Sequence, residues 1–380
     1  MSPEPKPPRA GRLPDAASEA RLLELRCEAE RRGVVMSAGV EPPGAPFPQA
    51  SPDAGYYGIP LLKKPGWSWE VPIYFFVGGA AGAAAVIGVM ANWTGADKRL
   101  VRDARWVAAL GGPISTGLLI SDLGRPARFL NMLRVFKLQS PMSVGAWTLS
   151  AFATASAASA FAEAVDRRFG GLMPVRVLGN VAEALAASTG VVMSSYTGVL
   201  IGATVIPVWN ENVRTLPLHF AASGVGSAVS VLELMGHDDS RALNTLGLAA
   251  AAFEAYEGFN IETHPTGANE PLRRGLSGWF TRSAGVMSGP VPLLLRLASM
   301  TTRGETRRNF RRAAAMSTLV GSFATRIAWI MAGHASSKDY RLPLQLEGEN
   351  RKQELPPKSA RQEERLRGIK PPDDPHGLSK

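Results

Sequence analysis

The 380-residue sequence predicts an all-α, polytopic integral membrane protein with about eight transmembrane helices, and two observations carry that expectation. Eight apolar stretches punctuate the chain, and just past the second runs Ile120-Ser-Asp-Leu-Gly-Arg-Pro-Ala-Arg-Phe-Leu-Asn-Met-Leu-Arg134, a polar, arginine-bearing segment placed where lipid meets water. The first stretch, Val71 to Trp93, holds no formal charge. At about 1.5 Å per helical residue it is long enough to cross a hydrocarbon core of about 30 Å.

The later stretches are Trp106–Ser121, Met142–Ala162, Ala184–Trp209, Leu216–Leu232, Ala242–Ile261, Leu276–Leu297 and Ala313–Gly333, each bounded by charges or by Pro and Gly. The second and fifth are short, and the sixth is interrupted by Glu254 and Glu257. None shows the alternation of a barrel strand, and in lipid the backbone amides must be satisfied within their own segment, so helices are the consistent reading. Gly78-x-x-x-Gly82 and Gly198-x-x-x-Gly202 are spacings that let helices approach closely, and plain packing accounts for them better than a binding role.

The expected organisation is a polar, proline-rich tail over residues 1–64, a membrane domain over 65–335 and a charged tail over 336–380. The first tail has no apolar run, so it does not look like a cleaved signal sequence, and the first membrane helix is expected to serve as the insertion signal. Within it Ser18–Arg32 has the pattern of one short amphipathic helix, with Leu22, Leu25 and Ala29 on one face. The second tail mixes both charge signs with prolines, the composition of a solvated or partner-covered extension.

Orientation rests on Lys and Arg in short loops. Lys98, Arg99, Arg102, Arg105, Arg167, Arg168, Arg176, Arg241, Arg303, Arg307, Arg308, Arg311 and Arg312 lie in the loops after the odd-numbered helices. They outnumber Arg125, Arg128, Arg134, Lys137, Arg214, Arg273 and Arg274 in the opposite loops, which places both termini outside the cytoplasm. Lys63, Lys64, Lys338 and Arg341 narrow that asymmetry. Topology also explains the net charge of +10, because no zinc-finger spacing, RNA-binding aromatic motif or basic helix accompanies it and nucleic acid is not an expected partner.

Cofactor chemistry is bounded by two scarce residues. Cys27 is the only cysteine, and an iron–sulfur cluster needs about four thiolates, so no cluster is expected in this chain. The five histidines are His219 and His334 near helix ends, His237 and His264 in or beside loops, and His376 in a tail, a poor arrangement for two axial haem ligands. His219 and His334 are expected to make local hydrogen bonds. No Walker loop, HExxH helix or Ser/His/Asp order is present.

Several motifs together resemble the membrane subunits of the NrfD/polysulfide-reductase (PsrC) family. They are Trp67-Ser-Trp-Glu-Val-Pro-Ile-Tyr-Phe-Phe-Val-Gly-Gly79, Asp122-Leu-Gly-Arg-Pro-Ala-Arg-Phe-Leu-Asn-Met-Leu-Arg134, Ser140-Pro-Met-Ser-Val-Gly-Ala-Trp147, Ser195-Tyr-Thr-Gly-Val-Leu200 with Pro207-Val-Trp209, and Arg326-Ile-Ala-Trp329 with Ala332-Gly-His-Ala335. The likeness covers about residues 56–340, and the segment after the second helix joined to Ser-Pro-Met-Ser is its most specific part.

The resemblance implies eight helices in two four-helix bundles and a quinone site near the face on which an iron–sulfur subunit docks. It implies no haem or cluster in this chain, a 4Fe-4S ferredoxin-like partner, a catalytic subunit of which a molybdopterin enzyme is one option, and menaquinone or ubiquinone as diffusible substrate in a bacterial inner membrane. Glu70 is then the candidate proton-transferring or hydrogen-bonding acid and Tyr196 the donor to a quinone oxygen, with Trp67, Trp69 and Tyr74 around the ring. Each has a plainer role open to it: interfacial anchoring for the tryptophans, and a carboxylate favoured by the helix dipole for Glu70. Asp122, Arg125 and Arg128 either cap their loop as a charge-paired unit or dock the electron-donating subunit, and the two can coexist.

Glu254, Glu257, Arg282 and Arg326 are the charges deepest in the spans, with Glu163, Glu183 and Glu233 nearer the cytoplasmic ends. They line a proton path or pair with one another, for example Arg326 with Glu254 or Glu257. Ala203 and Asn210 stand where many similar chains carry an acid and a histidine, which argues against proton translocation through the fourth helix. A transporter or channel, and a structural anchor without a quinone site, are the competing functions.

Overall fold

The computed structural model describes residues 62, 65–123, 127–170 and 173–338, and the Ser18–Arg32 segment lies outside them. All regular structure among the described residues is helical. In chain order the helices are α1 (Glu70–Trp93), α2 (Lys98–Asp122), α3 (Ala127–Met132), α4 (Pro141–Phe169), α5 (Met173–Gly202), α6 (Pro207–Glu211), α7 (Leu216–Leu232), α8 (Arg241–Thr263), α9 (Glu270–Arg273), α10 (Gly275–Ser288), α11 (Pro290–Thr301) and α12 (Gly304–Ser336). Four segments, Glu70–Trp93, Met173–Gly202, Leu216–His237 and Gly304–Ser336, are long and apolar enough to cross a membrane by themselves. The chain is thus an all-α polytopic membrane protein.

Each of the eight apolar stretches has a helix beneath it, with two differences. The fourth stretch does not continue to Trp209. α5 stops at Gly202, where the Thr204 hydroxyl donates back to the Ile201 carbonyl at 2.8 Å and Pro207, without an amide proton, starts the separate turn α6. The seventh divides at Gly289, where φ −108° and ψ −89° leave the helical region and Pro290 opens α11. Several starts follow local capping chemistry: the side chains of Asp97, Ser140 and Ser240 accept the backbone N–H groups of Arg99, Ser143 and Leu243.

Helices α1, α2, α4 and α5 pack together, as do α7, α8, α10 with α11, and α12, and α1 and α5 touch α7 across the seam. The contacts of α1 with α5 and with α7 both depend on missing side chains. A Cβ on Gly82 would lie 2.5 Å from the Gly190 carbonyl oxygen on α5, and one on Gly224 of α7 would lie 2.9 Å from that of Gly79. Lipid gives no hydrophobic drive for helices to associate, so this backbone proximity supplies the dispersion contact that holds α1 in the centre.

The face where α1 begins and α12 ends is the entry face. At the opposite, far face several charged side chains are paired. Arg105 donates to Glu183 at 2.8 and 2.6 Å and reaches Glu163 at 3.4 Å, and Arg167 donates to Glu163 at 2.7 Å. A π-helical turn, Glu233–His237, ends α7 with Gly236 at φ 103°. It brings Glu233 to Arg296 in two parallel bonds of 2.8 Å, with both side chains wholly buried. His237 Nε2 meets Asp103 at 2.9 Å, joining α7 to α2. Beyond the turn, hydrogen bonds from Arg308 and Arg307 hold the Asp239 carboxyl below the usual carboxylate range.

Two outcomes follow from these pairs. Glu233→Ala or Arg296→Met should each cost about 3–5 kcal/mol by leaving one charge buried alone, while Glu233→Leu with Arg296→Met should recover most of that loss in detergent thermal unfolding. A depressed carboxylate stabilises the fold above its unfolded pKa, and that contribution disappears as pH falls through the lower folded value. The acid-induced drop in Tm below about pH 4 should therefore be shallower in Asp239→Asn than in the parent.

Candidate functional site

At the entry face the chain approaches α1 through Trp67, whose ring stacks on Trp209 of α6 at 4.8 Å between centroids and an interplanar angle of 16°. It also meets Phe75 edge-on at 6.1 Å. Trp209 is fully buried, donates its indole N–H to the Trp329 carbonyl at 2.8 Å, and lies on α12 at Gly333, where any side chain would collide with the ring. An aromatic wall is thereby fixed across α1, α6 and α12.

Beside this wall, Ser68 Oγ is in hydrogen-bond contact with Glu70 Oε2 and lies 2.7 Å from Asp122 Oδ1 at the end of α2. A serine hydroxyl has one proton to give, so it donates to one carboxylate at a time, and a proton on either carboxyl completes the second bond. Three oxygens from two helix ends can therefore hold and pass a single proton.

One helical turn further into α1 from Glu70 stands Tyr74, which is buried. Its ring and Met193 of α5 both lie against Gly78, and Tyr196 is one turn on from Met193, so the two tyrosines sit on either side of the α1–α5 contact. The Tyr196 ring covers Gly145 of α4, and its hydroxyl donates to the Pro141 carbonyl. That proton is engaged within the protein, a feature the sequence does not reveal.

Of the residues singled out from sequence, Trp67, Glu70 and Asp122 meet at one place, with Tyr74 and Tyr196 beneath. Trp69 points away, 67 % exposed. Arg125 lies outside the described residues, and Arg128 lies on α3 without a described side chain. Ser68 was missed; its signal was position alone, two residues before Glu70 in a tryptophan-flanked turn.

Deeper in the second bundle, Arg326 does not pair with Glu254 or Glu257. It donates to the Ser223 hydroxyl and, at 3.1 Å, to the Phe220 carbonyl, with its guanidinium 4.5 Å from the Phe220 ring centre. Nor does His219 make the expected local bonds. It is 5 % exposed, and neither ring nitrogen has a hydrogen-bond partner among the described residues, because its neighbours at about ring-contact distance are Phe220 and Trp329. No group of metal-ligating side chains occurs among the described residues.

The family model described as "Polysulphide reductase, NrfD" matches residues 63–336, which takes in the whole helical body and every motif above. The chain belongs to the NrfD family. It is accordingly a membrane subunit of the polysulphide-reductase type. No curated protein sequence matches it.

If Trp209 anchors the wall as described, Trp209→Ala should lower stability by about 3–5 kcal/mol and raise the solvent accessibility of Trp67, read from thermal unfolding and iodide quenching of tryptophan emission.

Proposed function

We propose that this NrfD subunit exchanges electrons and protons between the quinone pool and a partner iron–sulfur subunit, in a respiratory complex whose catalytic subunit is of the molybdoenzyme type. Family membership supports the complex, and the Ser68, Glu70 and Asp122 constellation carries the quinone reading. Reduction of a quinone takes up two electrons and two protons. The chain offers a proton store at the membrane face, whereas its electrons must come from a partner's redox centre.

In this reading the quinone head rests against Trp67, with Glu70 passing a proton to the carbonyl oxygen nearest it and Asp122 recharging Glu70 through Ser68. Tyr74 and Tyr196 form the inner wall. Tyr196, whose proton is given to Pro141, positions the start of α4 and donates to the substrate only if that bond is exchanged. Trp69, exposed at the face, anchors the helix in the interface, and the segment bearing Arg125 and Arg128 docks the iron–sulfur subunit. The quinone is menaquinone or ubiquinone, and the membrane is the bacterial inner membrane with both termini outside the cytoplasm.

The test uses the whole complex isolated with its natural partners. Glu70→Gln should slow turnover of a quinone analogue about 10²-fold with little change in KM, because a proton donor is lost while the ring contacts remain. Trp67→Ala should instead raise KM about tenfold. Parent-like kinetics in both variants, with no inhibition by a quinone-competitive ligand, would remove the reading.

A further inference from the structure

The break at Gly289–Pro290 has a second effect. Just there α10 comes against α8 so closely that a Cβ on Gly289 would lie 2.7 Å from the Ala255 nitrogen, and Ser288 donates its hydroxyl to Glu254 Oε2 at 2.9 Å. On the entry-face side of this pivot lies a cavity of about 440 Å³, lined by Glu254, Gly258, Phe259, Glu262, Arg282 and Gly285 among others. A Cβ on Gly258 or Gly285 would meet nothing within 4 Å, so part of the room is the space that two absent side chains leave.

Exposed apolar side chains flank the cavity, and one polar group in its lining is unmet among the described residues. Phe259 is 67 % exposed and Val286 50 % exposed on helices that cross the bilayer, so the opening faces acyl chains rather than water. At its inner end Glu254 is 3 % exposed, and its Oε1 has no hydrogen-bond partner among the described residues. Near the entry face Arg282 is held by Glu262 through bonds of 2.6 and 2.9 Å, so its charge is already answered.

An occupant must therefore be apolar in bulk, must enter sideways from lipid, and must bring a hydrogen-bond donor to a buried acceptor that otherwise goes unpaired. Arg282, already held by Glu262, offers no free cation to an anionic headgroup. An oxidised quinone has only acceptors and brings no donor to the orphaned Oε1, whereas a hydroquinone presents two hydroxyl donors on a flat ring with an aliphatic tail.

We propose that the cleft between α8 and α10 is a second, lateral binding site of this subunit, selective for the reduced, hydroxyl-bearing ring of a hydroquinone. It is separate from the α1 site and does not rest on the assignment made there. Glu254 Oε1 accepts a ring hydroxyl, and the two glycines give the ring its room.

The experiment is photolabelling of the full chain, with its co-purified partners, in lipid nanodiscs, using a diazirine-bearing decylhydroquinone and mapping the adducts by peptide mass spectrometry. Adducts are expected within residues 254–262 and 281–290, displaced by decylhydroquinone at a concentration at least tenfold lower than by decylquinone. Gly285→Leu, a good helix former placed in open space, should cut this labelling at least tenfold while leaving adducts near Trp67 unchanged. Glu254→Gln, which offers a donor as well as an acceptor, should level the preference between the two oxidation states. The proposal is overturned if Gly285→Leu labels as the parent does, if an alkyl diazirine without a ring labels the same peptides equally, or if the oxidised form competes as well as the reduced. Adducts near Trp67 alone would overturn this site and leave the α1 reading standing; adducts in the cleft alone would do the reverse.

Discussion

The architecture turns on how closely α1 can approach its neighbours. In water a helix bundle is driven together by burying apolar surface, but lipid tails are as apolar as the side chains they would replace, so contact must come from fit. α1 meets this demand on two sides with glycines, Gly82 against Gly190 of α5 and Gly79 against Gly224 of α7. Because the same helix serves both bundles, its position fixes where Trp67, Ser68 and Glu70 emerge at the entry face. The Ser68, Glu70 and Asp122 cluster is thus placed by a helix that glycine contacts hold on two sides.

Buried carboxylates divide by depth along these helices. Toward the far face the carboxylates of Glu163, Glu183 and Glu233 each meet a guanidinium, and such pairs, with their desolvation largely offset, act as fasteners. In the entry half Glu254 keeps an unpaired oxygen, His219 keeps two unpaired ring nitrogens, and Glu257 forms no ion pair among the described residues. A protein that needed these groups only for stability would gain by pairing them as it does Glu233 with Arg296. Leaving them with spare hydrogen-bonding capacity in a low-dielectric interior costs free energy, and that cost is understandable where a substrate or proton completes the bond.

Much of this was legible in the sequence, and the reasons are physical. Helix positions follow from the length and polarity of each stretch, since a bilayer enforces both, and the eight apolar runs lie on the helices found. The two breaks were hidden for a specific reason. Pro207 and Pro290 sit inside apolar runs, and hydropathy does not register a missing amide proton. Proline kinks are common enough in membrane helices that neither residue alone announced a division of the helix.

Side-chain partnership was less legible because it depends on rotation about helix axes. Glu70 and Asp122 are fifty-two positions apart and meet only because α1 and α2 are antiparallel, and Ser68 joins them from a turn that no periodicity describes. Arg326 was expected to find an acid because a lone guanidinium in lipid is costly, yet the same need is met by Ser223, the Phe220 carbonyl and the Phe220 ring. That substitution has a consequence for the second bundle. Had Arg326 taken Glu254, the α8 acid would be neutralised by the chain itself. With Arg326 committed to α7, Glu254 is answered on one side by Ser288 and on the other by nothing among the described residues, and the cavity beside it has the size and apolar walls for a guest carrying the missing donor.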